Sequence, residues 1–163
     1  MKSLIELLTK QNLTLASCES LTGGLFATMF TEIAGVGQVF KGGFVVYSNE
    51  AKTKLVKVSQ KTLQEHGAIS AQCAKEMASN SRQLLGTDLA ISFTGNAGSA
   101  TQENKPVGLV YIGLVIKDDL ISKEYRFFGS RREIRQQAVE TGIMLIKDNL
   151  GKIIKNDISL PKK

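Results

Sequence analysis

The sequence predicts an α/β fold: a single domain built on a mixed sheet covered by helices, with a C-terminal β-hairpin and a long final helix. Three observations carry that prediction. Short apolar runs rich in β-branched and aromatic residues alternate with amphipathic stretches through the first half of the chain. GLVYIGLVIK (108–117) and ISKEYRFF (121–128) are separated by a short stretch with Asp118-Asp119, a connection too short for a crossover, so they pair antiparallel. The 163 residues, 42% hydrophobic and 22% charged, suffice for one core and are short for a second.

Each element has its own local reason. Leu4, Leu7 and Leu8 recur at helical spacing, giving a first helix over 2–11. TLASC (14–18) reads as a buried strand, and LTGGLFATMFTEI (21–33) as a helix with Leu25, Met29 and Ile33 on one face. GGFVVYS (42–48) has strand composition, after which Asn49 caps a short helix, EAKTKLV. Ser59 caps the next, which Gly67 stops, and Ser70 opens another that runs to Leu85 and closes at Gly86. DLAISFTG (88–95) is apolar on both faces, as a central strand must be. The polar loop NAGSATQENKP leads into the hairpin, and REIRQQAVETGIMLIKDNL forms the last helix, from about 131 to 149. Residues 1–150 form the domain and 151–163 a basic tail. Ligands of such sheets lie at the strand C-terminal ends, which gathers Glu19–Gly24, Tyr47–Lys52 and Thr94–Gly98.

Composition excludes several functions. The net charge of +6 is half due to residues 147–163, which carry five lysines against Asp148 and Asp157; what remains argues weakly for nucleic acid. Direct nucleic-acid binding would rest on that tail and GSRREIR alone, without stacking aromatics between. Cys18 and Cys73 lack CxxC or CxxH neighbours and predict a reducing, cytoplasmic setting. MKSLIELLTKQ has Glu6 and Lys10 inside its apolar positions, so neither a signal peptide nor a membrane span is expected. A single histidine, His66, leaves zinc sites and Ser-His-Asp triads without their usual members, and its place beside a helix stop suits packing or hydrogen bonding. No GxxxxGK[ST] occurs and no GxGxxG follows a strand.

What remains is Ser20, between a strand and a helix, where free N–H groups and the helix dipole favour an anion. It could cap that helix, the commoner use, or attack an acyl carbon, with Gly23 and Gly24 giving a ligand access to the backbone. Lys52 is the candidate base, since a partly buried lysine gives up its proton more readily; taken singly, a solvated lysine is the commoner reading. Tyr47 is a second proton-handling group, and Ser48 stands near Lys52 across the cap and first turn. Arg131 and Arg135, one turn apart at a helix start, suit a phosphate or carboxylate clamp, or are solvated surface arginines.

Taken together, ESLTGG (19–24), GGFVVYSNEAK (42–52), EHGAIS (65–70), TGNAG with KPVG (94–98, 105–108) and FFGSRREIRQQA (127–138) resemble the CinA C-terminal domain family, in order over nearly the whole chain. The resemblance implies amidohydrolase activity on nicotinamide mononucleotide, releasing nicotinic acid mononucleotide and ammonia in pyridine nucleotide salvage, with no cofactor and no metal. It implies a self-associating fold, dimer or higher, in its standalone form. It makes Ser20, Tyr47 and Lys52 the catalytic residues, leaving Ser20 and Ser48 both open as the nucleophile. Thr22, Gly23, Gly24, Thr94 and Gly95 would hold ribose and oxyanion, and Arg131 and Arg135 the 5′-phosphate. Two departures stand out: TGNAGSATQ replaces TGIAGPxGG, changing isoleucine to Asn96 and proline to Ser99 and losing a glycine pair, and Leu21 stands where many members have cysteine. The alternative is a catalytically weak nucleotide-binding or interaction module, with a recombinase partner as the family analogue.

Overall fold

In the computed structural model, residues 1–98 and 102–159 are described, with side chains to Ile153. The elements run α1 (Lys2–Lys10), β1 (Leu15–Glu19), α2 (Leu25–Thr31), β2 (Phe40–Val45), α3 (Asn49–Val56), α4 (Gln60–Glu65), α5 (Ala71–Leu85), β3 (Leu89–Gly95), β4 (Leu109–Ile116), β5 (Asp119–Arg126) and α6 (Arg131–Ser159). The sheet order is β2-β1-β3-β4-β5. β1 lies parallel to both β2 and β3, while β3, β4 and β5 run antiparallel. The mixed sheet, the hairpin and the long last helix are therefore as the sequence predicts.

Strand alternation sorts the core into two layers. From β1 and β3, Leu15, Leu89, Ile91 and Phe93 enter one cluster with α1, α2 and α6. Phe26 stacks on Phe30 at 4.7 Å between ring centres and lies 5.5 Å from Phe93. Cys18 points to the opposite face, where Val46, Val56, Val58, Cys73 and Met77 surround it. Covered on both sides, β1 is buried along its whole length, the pattern of a parallel strand under helices. Register then fixes the site: Glu19 pairs with Val45 on one side and Phe93 on the other, so the C-terminal ends of β1, β2 and β3 coincide.

Some boundaries shift, each for a local reason. The helix expected from Leu21 begins only at Leu25, because Gly23 and Gly24 take left-handed φ of 57° and 91° and turn the chain first. Its buried face is Phe26 and Phe30, with Leu25, Met29 and Ile33 only partly covered, so the expected apolar face is rotated. The expected strand over 42–48 lies at Phe40–Val45. Ser48, not Asn49, caps α3, accepting from the Ala51 N–H at 3.0 Å; either residue type can cap. Ser59, Ser70 and Gly86 cap as expected. The last helix continues to Ser159, beyond the expected end near 149, and residues 160–163 of the expected tail lie outside those described. No described helix is long and apolar enough to cross a membrane.

Candidate active site

Lys52 leaves the first turn of α3 pointing inward. Its side chain is 2% exposed and runs through the apolar layer beneath β1 and β2 to reach Ser20, itself 8% exposed. The Lys52 Nζ donates to Ser20 Oγ at 3.0 Å and to the Val46 carbonyl at 3.0 Å. No carboxylate lies within ion-pairing distance of this ammonium among the described residues. Burial pushes the Lys52 pKa below the ordinary lysine range, an effect that Cys73, Cys18 and Glu103 oppose. Both thiols are themselves pushed up to about 12 by burial, so they are uncharged near neutrality and relieve little of the lysine's desolvation. A neutral Lys52 can accept, across the same 3.0 Å, the hydrogen that Ser20 carries.

The turn that holds Ser20 is fastened from both ends. The Ser20 N–H donates to Phe93 O at 2.9 Å, and the Gly23 N–H to Ser20 O at 3.1 Å. Glu19, 1% exposed, sends its carboxylate into the N-terminus of α2, accepting from Gly24 N at 3.0 Å, Phe26 N at 3.1 Å and Ala27 N at 3.0 Å. Ser20 is therefore not the helix cap that one reading of the sequence makes it. Glu19, a neighbour with no expected role of its own, fills that place, and the helix-end donors expected to receive an anion are already taken. The N–H groups of Leu21 and Thr22, still in the turn, meet no acceptor among the described residues. Arg135 closes the far side, donating from Nη2 at 2.6 Å and Nε at 3.2 Å to the Thr22 carbonyl.

A pocket of about 110 Å³ opens over Ser20, walled by Leu21, Gly95, Ala97, Gly98 and Gln102, with Tyr47 and Arg131 at its mouth. The Tyr47 hydroxyl accepts from the Arg131 guanidinium. Gly95 is close-packed from behind: a Cβ there would lie 2.6 Å from Leu109 O, so a side chain at this point would displace β4. Asn96, at the altered motif, turns the loop with its Oδ1, which accepts from Gly98 N at 2.9 Å. In a larger cleft beside α3 and α4, Lys54 is paired with Glu50 on the surface and Thr53 Oγ1 donates to Asn49 O at 3.1 Å, so neither side chain there meets the other as Lys52 meets Ser20.

The structure thus brings Ser20, Lys52, Tyr47, Gly95 and Arg131 to one place and gives other expected residues other work. Ser48 caps α3 and does not touch Lys52 through its hydroxyl. Thr94 is buried, and its Oγ1 donates to Ala68 O at 2.6 Å. Thr22 is fully buried under the turn. Gly23 and Gly24 shape that turn, and Arg135 holds it from behind, so the expected arginine pair is divided between mouth and scaffold. His66 follows α4 with its ring 4.0 Å from Glu65, away from the pocket. No cluster of metal-ligating side chains occurs among the described residues.

The chain is an α/β protein in which a buried lysine amine meets a buried serine hydroxyl at the C-terminal ends of parallel strands. The chain belongs to the CinA C-terminal domain family, whose model matches residues 1–150. It is 50% identical over 139 residues to a competence-damage inducible protein of Bacillus cytotoxicus, and 45% identical over 150 residues to one of Bacillus mycoides. It spans about a third of the length of these relatives, 34% and 36%. Among solved structures it resembles a CinA superfamily protein of Klebsiella pneumoniae, with a TM-score of 0.89, 29% identity and 91% and 94% of the two chains covered. The competence/damage inducible protein CihA of Agrobacterium tumefaciens matches with a TM-score of 0.86 and 37% identity over 91% and 92%.

Proposed function

We propose that the chain is an amidohydrolase that deamidates nicotinamide mononucleotide to nicotinic acid mononucleotide and ammonia. The observation that carries this reading is the 3.0 Å contact between a buried lysine amine of lowered basicity and Ser20 Oγ. Ser20 Oγ attacks the carboxamide carbon while neutral Lys52 takes its proton. The tetrahedral oxyanion finds donors in the unclaimed N–H groups of the Leu21–Thr22 turn. Collapse expels ammonia with the proton that Lys52 returns, leaving an ester on Ser20. Water, deprotonated by the same amine, hydrolyses that ester and frees the carboxylate and the serine hydroxyl.

The pocket favours a head group over a whole nucleotide. Its 110 Å³ is well below the roughly 300–1,000 Å³ of sites that enclose a whole drug-sized ligand, which suits entry of the planar amide head alone. The ribose phosphate then lies across the mouth, where Arg131 supplies a guanidinium and Tyr47 holds it in place. Ser20 is favoured over Ser48 as nucleophile because Lys52 meets its hydroxyl while Ser48 serves α3. Incubating the pure protein with nicotinamide mononucleotide and measuring ammonia tests the reading. Release by wild type and none by Lys52→Ala is the expected result, and no release by either overturns it.

A second reading, a nucleotide-binding or interaction module that self-associates or engages a recombinase, draws on exposed apolar side chains. Val45 and Tyr47 beside the site are 51% and 61% exposed, and Phe128 ahead of α6 is 74% exposed. Tight calorimetric binding of the nucleotide with no turnover would favour it.

A further inference from the structure

Glu103 lies outside both the serine-lysine pair and the pocket mouth, yet its carboxylate joins a wall of the site to the loop that enters α5. Gln102 and Lys105 exchange both backbone hydrogen bonds, Gln102 N to Lys105 O at 3.2 Å and the reverse at 2.8 Å. Between them Glu103 and Asn104 take left-handed φ of 51° and 55°, which makes a two-residue type I′ turn. Asparagine is at home there, but glutamate is a costly choice. What the turn achieves is aim. The Glu103 side chain accepts from Ala68 N at 3.0 Å and Ile69 N at 3.1 Å, on the loop that enters α5. Gly67 leaves the notch that receives it: a Cβ there would come within 2.4 Å of Glu103 Oε2.

The same loop is gripped from other directions. Lys105 Nζ donates to His66 O at 2.8 Å and lies 3.6 Å from Glu103 Oε2, and Thr94 Oγ1 holds Ala68 O. EHGAIS is thereby fastened to TGNAG and KPVG, and Gln102, next to Glu103, faces the pocket.

We propose that Glu103 is a positioning residue for this site: it latches the Gln102 wall of the pocket to the entrance of α5, and that placement carries to Lys52. The groups acting on Lys52 are Cys18 from β1, Cys73 from α5 and Glu103 from the turn. Both thiols are uncharged near neutrality, and Glu103 is the one carboxylate of that set. Around Glu103 itself stand Lys105, Lys52 and Cys73, with His66 on the facing loop.

The role in turnover rests on the amidohydrolase reading, but the latch and the charge are measurable without that substrate. In Glu103→Ala, the Ala68 and Ile69 amides exchange hydrogen faster by about tenfold or more, as loss of a charged acceptor requires. In Glu103→Gln, which keeps one acceptor oxygen and the side chain's length, that protection is largely kept. In both variants the Lys52 amine, followed by nitrogen-detected NMR, titrates at lower pH than in wild type, since the charge that favours its protonated form is gone. A merely structural staple would not move the glutamine variant's titration. Acylation of Ser20 by p-nitrophenyl acetate falls by roughly tenfold in Glu103→Ala as the wall loosens. A folded Glu103→Gln with an unchanged Lys52 midpoint, or a folded Glu103→Ala with unchanged amide exchange, overturns the proposal. If these shifts appear while wild type releases no ammonia from nicotinamide mononucleotide, the positioning role stands and the substrate reading falls.

Discussion

At the floor of the pocket Lys52 and Ser20 are 2% and 8% exposed, whereas at its mouth Tyr47 is 61% exposed and Arg131 leans on it from the first turn of α6. The floor is made by desolvation: an amine among Val46, Val56, Cys18 and Cys73 holds its proton weakly because water is excluded. The mouth is made by charge and reach, with a planar guanidinium shaped to pair with a phosphate or carboxylate. The difference assigns chemistry to the floor and recognition to the mouth, and substitutions in the two regions should fail in different ways.

The largest effect belongs to the floor. Ser20→Ala and Lys52→Met should each lower ammonia release by about a thousandfold or more, and the double variant little further, because the two groups act as one unit. Lys52→Arg should be as inactive as Lys52→Met, since a guanidinium cannot accept the proton. The wild-type rate should rise with pH, following the neutral amine, with a midpoint below the ordinary lysine value of 10.5. The stability sign follows from the same shift. Between the depressed folded-state pKa and 10.5 the unfolded chain binds more protons, so wild type gains stability as pH rises through that window. Lys52→Met lacks this dependence, and parallel denaturant melts at neutral and alkaline pH should show the difference. Equal pH dependence in the two proteins would mean that the floor is wet.

Glu19 comes next, because it supports the floor without lining it. Truncation to alanine strands the N–H groups of Gly24, Phe26 and Ala27 at the buried start of α2, a loss of about 3 kcal/mol by denaturant melt. The displaced Ser20 should then acylate about a hundredfold more slowly. Glu19→Gln, which keeps one acceptor, should recover part of both.

How far the sequence disclosed all this depends on the range of the interaction. The alternation of strands and helices and the hairpin were legible because periodicity and connection length are local, and Ser59, Ser70 and Gly86 act within a turn of themselves. Ser48 and Asn49 are both good caps, so adjacency alone could not choose between them. The Ser20–Lys52 pair spans 32 residues, and the surroundings of either residue suggest a cap and a solvated lysine; only the motifs taken together point to a site. Glu19 escaped because a carboxylate at a strand end looks solvent-facing, although a glycine pair four and five residues on, forcing a turn back over the strand, is the signal that something must meet the helix's free N–H groups. Arg135 was misplaced for a similar reason: helical spacing puts it on the face of Arg131, but the Thr22 carbonyl it holds is 113 residues away.

Mouth substitutions should be milder and of another kind. Arg131→Ala should raise KM for the nucleotide by about tenfold with kcat nearly kept, the signature of lost uniform binding. Tyr47→Phe, which removes only the hydroxyl acceptor of that guanidinium, should do the same more weakly. A fall in kcat with unchanged KM in Tyr47→Phe would instead place Tyr47 in the proton relay and move it from mouth to floor. Steady-state kinetics on nicotinamide mononucleotide and on free nicotinamide, which lacks the phosphate, separate the cases: only the nucleotide should feel Arg131.

The smallest effect is expected at the thiols, which share the lysine's surroundings but not its work. Cys18 and Cys73 are fully buried, and burial pushes both up to about 12, so neither forms the thiolate that reagents attack. Native protein at pH 8 should leave both cysteines unmodified by a thiol-disulfide reagent over the time in which the denatured chain reacts fully. Cys73→Ala should leave ammonia release within about threefold, because an uncharged thiol contributes packing and little field at Lys52, at a stability cost of about 1 kcal/mol for the small void. Rapid labelling of either cysteine in the folded protein would mean that water reaches the layer around Lys52, and the lowered basicity assigned to the floor would lose its physical cause.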